Sequence, residues 1–106
     1  MNGTDEQLMH AFYAGDTTAL DELATRYDPL LARVAHQILL ARTGSEVQAR
    51  GEWDIDDRLS NIWAHVLSTR MTGLARWPHQ RLTVLAWLLH LLTLEMDRHL
   101  GFRPPF

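Results

Sequence analysis

The 106-residue chain contains no cysteine, which excludes disulfide frameworks, thiolate nucleophiles and cysteine-ligated zinc in one step. It contains no lysine: all ten basic residues are arginine, a usage that GC-rich codon bias produces without any functional cause. Long apolar runs are missing too. The longest, Leu82 to Leu94, is 13 residues and is broken by Thr83, His90 and Thr93, short of the roughly 20 that a membrane span needs. The opening MNGTDEQL lacks a basic segment followed by an apolar one, so no secretory signal is read and a soluble, cytoplasmic protein is expected. Period-two strand patterning is absent, and the few glycines and prolines fall between helical segments.

Catalytic signatures are equally scarce. There is no P-loop, no GxGxxG, no serine-centred elbow and no HExxH among the six histidines, and no cofactor is implied. Glu95 and His99, four apart with Asp97 beside them, could be imagined as a two-ligand metal site, but they read as a helical salt bridge or a solvated helix end, and no metal site is expected. An enzyme is not expected.

What is present is helix. Apolar residues make up 46%, enough for a core in one small domain spanning residues 1–106. Thr4 with Gln7 forms a capping box, Leu8, Met9 and Phe12 follow at helical spacing, and Gly15 reads as the stop. Asp16 caps a second helix carrying Leu20, Leu23 and Tyr27, in which Glu22 and Arg26 form a local i, i+4 pair. Asp28-Pro29 predicts a fresh start for a third, with Leu30, Leu31, Val34, Ile38 and Leu39 running to about Arg42. Residues 43–53 read as a loop. Asp54 then caps a helix carrying Ile55, Leu59, Ile62, Trp63, Val66 and Leu67. A second loop over 71–79 leads to a last helix from about Gln80 to Leu100, closed by Gly101. The expectation is an all-α compact bundle of four to five helices.

Charge is unevenly spread. Residues 1–69 hold eleven acidic side chains against five arginines, and residues 70–106 hold two against five. An acidic front and a basic back imply two surfaces with different partners. The last helix is apolar nearly all round, so it is either central in the bundle or covered by a partner, for which Leu89 and Leu92 are the candidate interface residues.

The order of these elements resembles region 2 of sigma-70-type transcription initiation factors, most closely the extracytoplasmic-function group. DEQLMHAFYAGDTTALDELATRYDPLLARVA, with its acidic entry, Gly15-Asp16 turn and Tyr27, is similar to the start of that region. DIDDRLSNIWAHVL is similar to the family's acidic helix start followed by an amphipathic stripe, with Asp56 and Asp57 in place of Glu-Asp and Trp63 at a large apolar position. AWLLHLL, with Trp87-Leu88, is similar to the opening of its final helix. The resemblance covers residues 4–100 and implies a promoter-recognition role. Asp56, Asp57 and Asn61 would then fall on the helix that docks on a coiled coil of the largest subunit of core RNA polymerase. Arg76, Trp77 and Arg81 would fall in or beside the loop that takes up the −10 element as single-stranded DNA, with His90, Thr93 and Arg98 on the DNA-facing stripe. The chemistry suits this: acidic residues fit a basic partner surface, guanidinium groups fit phosphates, and an indole fits an unpaired base.

Three departures from the family pattern matter, two of them on the DNA face. Ser60 stands where the family has glutamine. Leu89, His90, Leu92, Thr93 and Leu94 stand where it has cations and asparagine, and its basic tail is reduced to Arg98 and Arg103. Losing about four or five cations removes most of the salt-dependent DNA affinity. Within the 106 residues no helix-turn-helix for the −35 element follows. Two expectations therefore stand side by side. One is a polymerase-docking, promoter-contacting factor, its −35 reader on the same or a second sigma-like chain. The other is a sigma-like interaction module that pairs with itself or with an anti-sigma regulator.

Overall fold

The first helix begins where its capping box predicts. In this computed structural model, which describes residues 3–43 and 55–100, α1 spans Asp5–Tyr13. The Thr4 hydroxyl accepts from the Gln7 amide at 3.1 Å while the Gln7 side chain accepts from the Thr4 amide at 2.9 Å. It ends in a Schellman closure: the Gly15 amide donates to Phe12 and the Asp16 amide to Ala11, with Gly15 at a φ of 115° that a side chain would resist. Asp16 caps the next helix, accepting from the amide and hydroxyl of Thr18 at 3.0 and 2.6 Å. The hydroxyl bond leads the causes that hold its carboxyl below the usual range.

From there the structure corrects the sequence reading. The predicted break at Asp28-Pro29 does not occur, and α2 runs unbroken over Thr17–Thr43 with Pro29 inside it. Pro29 forfeits one amide hydrogen bond, normally a cost near 3 kcal/mol in a helix interior. What carries the helix through is a row in steps of four, Ala19, Leu23, Tyr27, Leu31, Ala35 and Leu39, all buried except the half-buried Tyr27. Such a row drifts around a 3.6-residue helix, so successive stretches of α2 address different neighbours. Arg26 and Tyr27 reach Asp5 of α1. Asp28 accepts from the Trp63 indole at 2.7 Å, and Arg42 pairs with Asp97 near the far end.

Helix α3 spans Ile55–Thr72 and α4 spans Val84–Leu100. Of the expected loop over 43–53, Thr43 is still helical as the last residue of α2; residues 44–53, the Asp54 cap, Gly101 and Arg103 lie outside the described residues, as does the His99 side chain. α3 closes at Gly73, whose φ is 72° and whose amide donates to Thr69 at 3.0 Å. The last helix begins later than Gln80. After Pro78 the amides of Arg81 and Leu82 both return to the Pro78 carbonyl, and Thr83 then caps α4 by accepting from the Ala86 amide at 3.1 Å. Local turn bonds and a threonine cap outcompete the helical pattern of residues 80–83.

The outcome is an all-α bundle of four helices among the described residues. α4 touches α1, α2 and α3 and buries Val84, Trp87, Leu88, Leu92 and Met96. Its apolar character fits a helix packed against all three others. No helix among the described residues is long and apolar enough to cross a membrane.

One contact makes a pH-dependent prediction. The Tyr27 hydroxyl donates to Asp5, which also takes Arg26 at 2.7 Å. Partial burial first, and the bond to Asp5 second, push the Tyr27 hydroxyl up to about 12. A pKa raised on folding favours the folded state below the unfolded value, near 10, and that contribution is lost as pH rises toward 12. Denaturant titrations at pH 9, 10.5 and 11.5 should show the wild type losing stability more steeply than Tyr27→Phe. Equal slopes would remove Tyr27 from the account.

Candidate functional site

The first turn of α3 carries Asp56 and Asp57, both exposed, with Asn61 exposed one turn further along. Acidic side chains at a helix N-terminus also complement the helix dipole, by about 0.3–1 kcal/mol each. On α3 the core takes Leu59, Ile62, Val66 and Thr69, leaving Asp57 outside that row, with Asn61, four further on, toward α4. Asp56 lies toward α2, in a shallow groove with Asp28, Ser60 and Trp63.

Between α3 and α4 lies a cleft of about 300 Å³, lined by Asn61, His65, His90, Leu94, Glu95 and Arg98 among others. The sequence reading assigned Asn61 to one partner and His90 and Arg98 to another, yet the fold brings all three to this cleft. Its unforeseen member is Glu95, only 6% exposed. The Asn61 amide donates to one of its carboxylate oxygens at 3.3 Å, and the Arg98 guanidinium stands 3.9 Å from the other. A glutamate on an apolar helix gives no sign of burial when the amide that meets it lies 34 positions away.

The segment between α3 and α4 is built differently from its expected role. Trp77 is 5% exposed, its indole N–H donating to the Leu82 carbonyl at 2.8 Å. Its own amide donates to the Tyr13 hydroxyl at 2.9 Å. Because the buried Thr69 hydroxyl donates to the Val66 carbonyl at 2.6 Å, Tyr13 donates to Thr69 across 3.3 Å. One phenol thus ties α1, the end of α3 and the connecting segment together. The ring of Trp77 belongs to the core and offers no stacking platform for a base.

No protein-family model, curated protein or solved structure matches this chain. Function therefore has to be read from the side chains themselves.

Arg76 is also committed within the fold. Its guanidinium donates to the carbonyls of Thr69 and Arg70 at 3.2 and 3.4 Å and lies 4.4 Å from the Tyr13 ring centroid. A cation on the last carbonyls of α3 is a helix C-terminal cap. Nothing in the residue type separates that role from phosphate contact. Arg81, His90, Thr93 and Arg98 are exposed, although Thr93 turns its hydroxyl back to the Leu89 carbonyl at 3.0 Å.

The proposed interface pair needs correction as well. Leu92 is wholly buried and Leu89 is half-buried against the core. A charge at position 92 would break the core, so it cannot report on a dimer. The exposed large apolar side chains lie elsewhere: Met71 at 75% and Leu74 at 72%, with Leu67 one turn before Met71, and Leu94 at 46% beside the cleft. Position alone hid them, since Leu67 and Met71 fall on the side of α3 away from its buried row. Among the described residues no three histidine or carboxylate side chains cluster to hold a metal.

Proposed function

We propose that this chain docks on core RNA polymerase through the acidic N-terminal turn of α3, in the manner of the sigma-70 region 2 domains it resembles, and makes only weak promoter contact. The observation that supports this most directly is the exposure of Asp56, Asp57 and Asn61 on a rigid helix. Acidic side chains so placed steer association with a basic partner surface and make it sensitive to salt. For the −10 strand the remaining groups are Arg81, His90, Thr93 and Arg98. With Trp77 buried, one of the three expected loop contacts is withdrawn, and Arg76, although exposed, is engaged by the carbonyls of Thr69 and Arg70.

That withdrawal also favours the second reading, a sigma-like fold used for protein contact alone. Its surface would be the exposed Leu67, Met71 and Leu74 rather than Leu89 and Leu92, and its partner a second copy or a regulator. The two readings separate in one experiment, capture of purified core polymerase by the chain at moderate and high salt. Capture that fades with salt is expected. No capture at either salt, with a stable dimer instead, would overturn docking in favour of the second reading.

A further inference from the structure

His10 of α1 and His79, in the turn after Pro78, are exposed and stand with ring centroids 6.2 Å apart and planes at 67°. The buried ring of Trp77 lies edge-on to both, 5.7 Å from His10 and 6.0 Å from His79. Both imidazoles are carried by elements fixed independently of them. α1 is anchored by Leu8, Met9 and Phe12, none of which is exposed at all. The turn is held by the His79 amide on the Trp77 carbonyl at 2.9 Å and by the Trp77 indole on Leu82. The site is therefore positioned before any ligand arrives, which lowers the cost of binding one.

Two imidazoles that share a metal ion at a metal–nitrogen distance of about 2.0–2.1 Å have ring centroids on the order of 5–6 Å apart. The observed separation of 6.2 Å lies just beyond that range. We propose that His10 and His79 bind a divalent transition-metal ion of the zinc or nickel class, clipping α1 to the segment that leads into α4. Imidazole nitrogen selects such ions over magnesium and calcium, which prefer oxygen. With two protein ligands, water completes the coordination shell, and the site is weaker than a four-ligand structural zinc centre. The alternative is two surface histidines packed on a tryptophan with no ion between them. This proposal is independent of polymerase docking.

The test is calorimetric titration of zinc ion, then nickel ion, into the full chain. One ion per chain is expected, with binding weakened about tenfold or more in His10→Ala and, separately, in His79→Ala. His65→Ala and His90→Ala, in the α3–α4 cleft, should bind as the wild type does, and magnesium ion should give no heat of binding. Because a ligand of the folded state raises its apparent stability, zinc should also raise the wild-type Tm and leave that of the two binding-site variants unmoved. Both substitutions are at exposed positions, so circular dichroism should show intact helices. No saturable binding at millimolar zinc, or binding that survives both substitutions, would overturn the proposal.

Discussion

Trp77→Ala should lower the free energy of unfolding by about 3–5 kcal/mol, the range for removing a buried large aromatic side chain. The ring is 5% exposed, packs edge-on against His10 and His79 and spends its N–H on the Leu82 carbonyl. Truncation would leave a cavity and also a carbonyl without its donor, which adds to the cost. Trp77→Phe keeps much of the volume and loses the hydrogen bond, so it should recover a large part of the stability. Urea denaturation followed by circular dichroism measures both. A surface platform for an unpaired base would behave otherwise, since exposed substitutions away from structural features stay within about 0.5 kcal/mol. A loss that small would return Trp77 to the nucleic-acid face.

That contrast shows why part of the molecule was legible in the sequence and part was not. The starts of α1 and α2 were legible because their signals are local: Thr4 and Gln7, Gly15 and Asp16 each act within five residues. Pro29 misled because its signal is local and its outcome is not. A row of side chains packed against three other helices outweighs one lost amide bond. Arg76 and Trp77 misled for a related reason. A guanidinium next to an indole suits phosphate and base, and it suits a helix C-terminus and a core equally well. Only the fold, through Tyr13 and Leu82, decides between them.

The same logic sorts the last helix. α4 reads as apolar all round because it meets α1, α2 and α3, so no partner has to be invoked to cover Leu92. Glu95 is the converse case, a buried carboxyl group that accepts from Asn61 of another helix. Exposure on α3 was legible in part: the buried row Leu59, Ile62, Val66 and Thr69 leaves Asp57 outside by arithmetic on a 3.6-residue turn. It leaves Met71 outside as well, which the sequence reading passed over.

Asp57→Arg should reduce capture of core polymerase about tenfold or more while leaving helicity and Tm close to those of the wild type. Asp57 is exposed on the first turn of α3, outside the buried row Leu59, Ile62, Val66 and Thr69, so reversing its charge leaves the core in place. Against a basic partner the same change converts an attraction into a repulsion. Charge changes at an exposed rim act chiefly on the rate of association and on its salt dependence. The loss should therefore be largest at low salt and narrow as salt rises and the Debye length shortens. Ser68→Arg, on the same side of α3 but three turns away, moves net charge in the same direction and is the control for charge away from the acidic turn. Equal capture by Asp57→Arg and the wild type across the salt range would separate the acidic turn from polymerase binding. The exposed Met71 and Leu74 would then be the surface to change next.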